Sequence, residues 1–318
     1  MPKGNQSLLL ELRSEWMFMP EMAEQMLPVV LQLLNGTALD PREELIIQGF
    51  QMEGQLVNGI RAVYAANADS EDPFESFPEN SVAVVPCKGT MLKYGTMCAW
   101  GADELTAIVE LAYRSPKIAG VIIDTDSGGG AVSSIPVWSA TLAKRNKPVM
   151  VYADVMCSAA YYMGIHADYL MLSNDLSSMV GSIGVMVSWP DYTEALAQRG
   201  IKMHTVYADQ STHKNAEFQA AQAEKPDYKP LKTNMLNPLA IRFQEAVKAA
   251  RPKLDQSVEG ILAGKVFYGP EALKHGLVDA IGTMDQAVAK LMELANTWQA
   301  RATAKEFVTQ YNSLNNHV

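Results

Sequence analysis

The 318-residue chain has few of the residues that many functional sites need. Its three cysteines show no CxxC spacing, which argues against a disulfide framework and against a thiolate zinc site. Its five histidines show no HExxH-type pattern, and no nucleotide-binding motif is present, so we expect neither a metal nor a cofactor. The net charge is −9 without a cluster of Lys and Arg, which is unsuited to nucleic acid.

Long apolar runs are also missing. None approaches the roughly 18 residues of a membrane span. The three-residue Leu run near the start of the chain is too short for the core of a signal peptide. We therefore expect a soluble protein that is not secreted and that lies in a reducing compartment.

Apolar residues make up 48% of the chain and charged residues 19%, the balance of a globular protein with a large core. Residues 20–35 have apolar positions at helical spacing, and residues 64–80 are polar, acidic and interrupted by prolines. The sequence thus predicts an N-terminal helical extension and linker over residues 1–80.

From residue 81, short apolar segments alternate with amphipathic ones, which predicts an α/β domain with a largely parallel sheet. This domain should run over residues 81–298, with a mainly helical part from residue 228 and a polar tail over 299–318. We predict strands at 81–87, 118–124, 148–153, 169–172, 182–187 and 203–207, and helices at 103–113, 132–146, 157–167 and 191–199.

A glycine cluster, Gly128-Gly129-Gly130, follows the predicted strand 118–124 and precedes a helix. Such a junction permits unusual backbone angles and directs free N–H groups outward, where they can bind an oxyanion or a phosphate. A plain tight turn is the alternative interpretation.

Ser158 lies where the strand 148–153 is predicted to turn into a helix, with Ala159 and Ala160 behind it. This geometry exposes a hydroxyl and directs the next N–H, that of Ala159, toward the same space, as a nucleophile and an oxyanion donor require. A helix N-cap serine is the commoner role of such a residue, and Cys157 is a rival nucleophile.

A serine nucleophile needs a base. His166, eight residues further on, would lie two helical turns away and is poorly placed. Lys214 lies in a polar stretch, where a lysine is normally a solvated charge. It can act as a base only if burial favours its neutral amine.

Taken together, these segments resemble the S49 peptidase family, which includes signal peptide peptidase A and phage head-maturation proteases. The resemblance covers roughly residues 81–290 and rests on five motifs in order. They are the strand and turn Ile122–Gly130, the nucleophile segment Cys157-Ser158-Ala159-Ala160-Tyr161-Tyr162, the segment Gly181-Ser182-Ile183-Gly184-Val185, the loop Ser211–Lys214, and the closing segment from Gly264 to Gly282.

The resemblance implies a fold of the Clp-protease/crotonase type, a repeated ββα spiral, and assembly as a homo-oligomeric ring. It also implies a Ser/Lys dyad that cleaves polypeptides. Two residues depart from the family pattern: Gly128 replaces a proline, and Ala160 replaces a glycine. The implied roles are Ser158 as nucleophile, Lys214 as base, Gly130 and Ala159 as oxyanion-hole donors, Ser182 as the group that orients the lysine, and Gly129 and Ala160 as part of the substrate groove.

The segment Trp16–Met22 resembles the leader of phage-encoded members. It favours an enzyme of the host cytoplasm or prohead interior that cleaves scaffold or capsid proteins during head maturation. The alternatives are peptide degradation like that of signal peptide peptidases, a catalytically silent capsid or portal partner, and a crotonase-like acyl-CoA enzyme.

Overall fold

The computed structural model of the chain describes residues 16–17, 49–52, 55–61, 74–75, 77–96, 99–189 and 191–315. The predicted helix at 20–35 lies outside these residues, as does most of the segment from Trp16 to Met22. Among the described helices, none is long and apolar enough to cross a membrane.

Within the described residues, nine strands form one sheet, and two short strands pair separately. The main path runs β10-β9-β7-β5-β4-β3-β2, with β8 beside β7 and β11 beside β8, while β1 pairs with β6. The strands are β1 (Trp16–Met17), β2 (Gly49–Met52), β3 (Gln55–Arg61), β4 (Ser81–Lys88), β5 (Ile118–Ser127), β6 (Gly130–Ala131), β7 (Val149–Cys157), β8 (Tyr169–Leu172), β9 (Met179–Gly181), β10 (Val266–Tyr268) and β11 (Ala280–Ile281).

Helices connect and cover these strands. They are α1 (Ala102–Arg114), α2 (Ile135–Ala143), α3 (Ala159–Gly164), α4 (Thr193–Gln198), α5 (Ala216–Ala221), α6 (Lys229–Leu231), α7 (Asn237–Ala250), α8 (Gly269–Lys274) and α9 (Met284–Asn315). A short 3₁₀ turn, Val132–Ser134, leads into α2, and a π-helical turn, Lys232–Leu236, leads into α7.

The centre of the sheet is parallel and covered on both faces. Strands β3, β4, β5 and β7 run parallel to one another, in that order across the sheet, whereas β2 runs antiparallel to β3 at its edge. Three consecutive residues of β5, Val121, Ile122 and Ile123, are fully buried although their side chains alternate between faces. Parallel sheets need such cover because their crossover helices lie on the faces. The predicted α/β class with a largely parallel sheet is thus confirmed.

Some predicted elements differ from the structure. Residues 203–207 are not a strand, because Met203 and Val206 are exposed and no neighbouring strand pairs with this described segment. The strand predicted at 182–187 lies earlier, since β9 ends at Gly181. In the range predicted as helix and linker, β2 and β3 extend the main sheet. Helix α9 continues to Asn315, into the predicted tail.

The amino end of β7 is fixed by Asp168. Its carboxylate accepts hydrogen bonds from the Val149 N–H at 2.9 Å and from the Arg145 guanidinium at 3.0 to 3.2 Å. Bidentate pairing of a carboxylate with arginine gives directional stability as well as charge compensation. The strand that leads to Ser158 is therefore anchored at its start.

Candidate active site

Ser158 follows β7 directly and has a backbone conformation that side-chain-bearing residues rarely adopt, with φ 54° and ψ −117°. It precedes α3 at the N-cap position, but its hydroxyl makes no capping hydrogen bond. Its N–H donates instead to the carbonyl of Gly181 at 2.8 Å. The N-cap interpretation therefore does not apply. The sharp turn matches the predicted strand-to-helix elbow, but Ser158 is only 1% exposed, so the predicted exposure of its hydroxyl is wrong for the single chain.

Ser182 lies beside this elbow. Strands β7 and β9 pair in parallel, with Cys157 opposite Gly181, so the two serines follow the ends of adjacent strands. Ser182 also has a positive φ, 52°, and its N–H donates to the Lys265 carbonyl at 3.0 Å. The structure thus brings together two of the predicted site residues, one fully buried and one half-buried.

The glycine turn is held by one residue of the preceding loop. The Met91 N–H donates to the Gly129 carbonyl, and the Ala131 N–H donates to the Met91 carbonyl, each at 2.9 Å. Gly129 has φ 109°, a value that favours glycine. A Cβ on Gly130 would lie 2.1 Å from the Met91 oxygen and 2.6 Å from its nitrogen. Position 129 therefore requires glycine because of its backbone angle. Position 130 requires glycine because the Met91 backbone lies too close to admit a Cβ.

We expect Gly130→Ala to lower the free energy of unfolding by about 1–3 kcal/mol, since backbone atoms must shift to admit the methyl group. Chemical denaturation would measure the change. Gly184→Ala is the matched control, because a Cβ there meets its nearest atom, the Gly264 Cα, at 3.9 Å. Equal stability of the two variants would contradict the close approach at Gly130.

Ala159 opens α3, and the first N–H groups of a helix have no acceptor within it. Helix α3 contacts β6, which brings Ala159 toward the side of the sheet where Gly130 lies. Ala160 is fully buried, whereas Gly129 and Gly130 are buried within the turn. The predicted oxyanion donors Gly130 and Ala159 thus belong to two elements in contact, and Gly129 precedes the first of them.

Two tyrosines link the nucleophile segment to the C-terminal part of the chain. The buried Tyr161 hydroxyl donates to the Leu277 carbonyl at 2.9 Å, and burial raises the pKa of this phenol. The Tyr162 ring lies 5.0 Å from the ring of Phe243 in α7. The segment around Leu277 therefore has a structural role, because it holds the helix that follows Ser158.

Unlike the buried Ser158, Lys214 is at the surface in this structure. It lies on an exposed turn, where its N–H donates to the Ser211 carbonyl at 3.0 Å. Within the part of the chain that the structure describes, no hydrogen bond joins its ammonium group to Ser158 or Ser182. The condition for a lysine base, burial, is therefore not met in the single chain.

The rival groups are poorly suited to nucleophilic or basic roles. Cys157 ends β7 and is fully buried. His166 lies beyond α3 against the Tyr162 ring, 5.6 Å between centroids, and desolvation with a smaller effect of Arg145 lowers its pKa. No group of metal-ligating side chains occurs among the described residues.

Sequence reasoning missed the residues that support the site through backbone groups. Met91 holds the glycine turn, Gly181 accepts from Ser158, and Lys265 accepts from Ser182. Backbone carbonyls carry no side-chain signal, so residue types alone could not reveal them. Two of the segments that carry the resemblance, one with Gly181 and one with Lys265, marked the neighbourhood in advance.

Comparison with known proteins gives a family for much of this region. The model of the family described as Peptidase family S49 matches residues 141–297. Protease 4 of Salmonella typhi is 30% identical over 203 residues, which cover 63% of this chain and 32% of that protein. Capsid assembly protease C of Escherichia phage lambda is 23% identical over 271 residues, 79% of this chain and 58% of that protein.

The chain spans about a third of Protease 4 and somewhat more than half of the phage lambda protein. Among solved structures, that of a ClpP1 mutant from Listeria monocytogenes matches 64% of this chain and 94% of its own. Its sequence identity is 12% and its TM-score 0.39. The α/β class assigned above rests on the order and direction of the strands in this chain and takes no support from this match.

Proposed function

We propose, from the match of residues 141–297 to the S49 peptidase family, that this chain is a serine endopeptidase with Ser158 as nucleophile and Lys214 as general base. The observation that carries the proposal is the backbone of Ser158. Its φ of 54° costs of the order of 1–3 kcal/mol, and its hydroxyl caps no helix. A strained serine that does not stabilise its helix is best explained by a chemical role.

In the proposed mechanism, neutral Lys214 takes the proton of Ser158 Oγ as this oxygen attacks a peptide carbonyl. The N–H groups of Gly130 and Ala159 stabilise the oxyanion, each worth about 3 kcal/mol. Ser182 orients the ammonium group, which then protonates the leaving amine. Water attacks the acyl-enzyme, releases the second product and restores both groups.

The exposed position of Lys214 requires one further element of the proposal. The segment that carries it, residues 191–236, is largely exposed, including apolar side chains such as Met203 and Val206. We attribute this exposure to the single chain: ring assembly or substrate binding covers the segment and desolvates the lysine. Desolvation then favours the neutral amine that the mechanism needs.

For the substrate, we favour scaffold or capsid proteins of a phage head. This choice is supported by the similarity to the phage lambda capsid assembly protease, which covers 79% of this chain. General peptide degradation is the second candidate, favoured by the identity to Protease 4. A silent assembly partner is the third, and the exposed Lys214 favours it.

Co-expression of the chain with the scaffold and coat proteins of its own genome tests the function. We expect shortened scaffold or coat products, identified by intact mass, and no shortened products with Ser158→Ala. Cleavage of an unfolded protein such as casein with intact coat and scaffold would favour general degradation. Intact proteins throughout, with normal particle assembly, would favour the silent partner.

A further inference from the structure

The shortest sheet in the structure joins two distant parts of the chain. Strand β1 runs antiparallel to β6, with Trp16 opposite Ala131 and Met17 opposite Gly130. The residues on the β6 side are those of the glycine turn, one residue of which is the proposed oxyanion donor. A segment more than a hundred residues earlier in sequence therefore lies on the edge that adjoins Ser158.

The remaining hydrogen bonds of this edge identify the group that β1 engages. The Ala131 N–H donates to Met91, and the Gly129 N–H donates to Ser127 Oγ at 3.2 Å. Of the two β6 residues that pair with β1, Gly130 is thus the one whose N–H is left to bond with β1. Opposite residues of an antiparallel ladder alternate between hydrogen-bonded and non-bonded pairs. With the Ala131 N–H already used, the register makes Gly130 and Met17 the bonded pair, so the Gly130 N–H faces the Met17 carbonyl.

We propose that the Trp16–Met17 segment is an intramolecular blocker of the substrate-binding edge. It adds to Gly130–Ala131 as a short antiparallel strand, as an extended polypeptide would add to an exposed edge. Its carbonyl takes the N–H that an oxyanion would need. The proposal rests on the proposed function, because it identifies this edge as the place where a polypeptide substrate binds.

The arrangement of contacts supports a reversible occupant. Ladder pairing of β1 is limited to two residues, whereas the Gly130 turn is also held by Met91 on its other side. Loss of β1 would therefore leave the turn in place and free one donor. A tethered segment competes at an effective concentration that a free peptide must exceed, so β1 can exclude a dilute peptide.

Peptide binding by full-length chains that carry Ser158→Ala tests this proposal without requiring catalysis. The probe is a fluorescein-labelled peptide with the sequence of residues 11–24, and the readout is anisotropy. Met17→Pro removes the N–H needed for pairing, and we expect it to tighten peptide binding by at least about tenfold. Met17→Ala, which keeps the N–H, is the matched control and should bind as weakly as the parent chain.

A peptide with proline in place of Met17 should not bind any of the chains. Hydrogen exchange should also show faster exchange at Gly130 in the Met17→Pro chain when peptide is absent. Equal peptide affinity in all three chains, or no binding in any of them, would overturn the proposal. Tight binding to the Met17→Pro chain, with no cleavage when Ser158 is intact, would count against the peptidase function alone.

Discussion

Replacement of Ser158 by alanine is expected to reduce peptide-bond cleavage by about 10³-fold or more, because no other group in the site supplies a nucleophile of the same geometry. The protein should remain folded. The Ser158 hydroxyl makes no capping hydrogen bond. The backbone N–H at position 158, which donates to the Gly181 carbonyl, is kept in the variant. Cleavage rates on an unfolded protein substrate, with circular dichroism of both proteins, would measure the two effects.

Ser158→Gly separates strain from chemistry. Glycine accepts a φ of 54° without steric cost, so this variant should also be inactive but more stable than the parent, by about 1 kcal/mol. Cys157→Ala is the control for the neighbouring thiol and should keep activity, since that residue still belongs to β7, opposite Gly181, and precedes the turn at Ser158. Activity that survives Ser158→Ala and disappears with Cys157→Ala would reassign the nucleophile.

Lys214→Ala is expected to lower the cleavage rate by about 10²- to 10⁴-fold, the usual contribution of a general base. Its stability should change by less than about 0.5 kcal/mol, because the side chain is exposed and has no hydrogen-bonded partner among the described residues. This combination of a large kinetic effect with no effect on folding would distinguish a catalytic lysine from a structural one. Initial rates and thermal unfolding provide the two readouts.

Lys214→Arg keeps the positive charge but cannot act as a base, since the guanidinium does not lose its proton in proteins. It should be as inactive as Lys214→Ala. Lys202→Ala and Lys225→Ala are matched controls, because both lysines are exposed on the same part of the chain. Full activity of Lys214→Arg would show that the residue contributes charge, and the base would have to be sought elsewhere.

The parts of the fold that the sequence predicted are those governed by local pattern. Strand β8 begins and ends where its apolar run does, at Tyr169 and Leu172, and α1 differs from its prediction by one residue at each end. Small residues after β7 predicted the elbow at Ser158. In each case the spacing of apolar residues along the sequence already indicates which residues are buried: an unbroken run in a strand, or one face of a helix.

Other features depend on contacts between distant segments, and local patterns of residue types do not reveal such contacts. The burial of Lys214 was left open by the sequence, and the residue is exposed in the single chain. Residues 203–207 have a strand-like composition, but a strand needs a partner and this segment has none in the described structure. The pairing of β1 with β6 joins residues 16 and 131, and no periodicity predicts it.

The backbone conformation at Ser158 also limits which amino acids can replace this serine. Threonine carries the same hydroxyl, but a β-branched side chain at a φ of 54° is a genuine steric outlier. Substitution of serine by threonine, normally among the mildest of changes, is therefore sterically disfavoured at this position. The conformation that places the hydroxyl selects one alcohol over the other before any chemistry takes place.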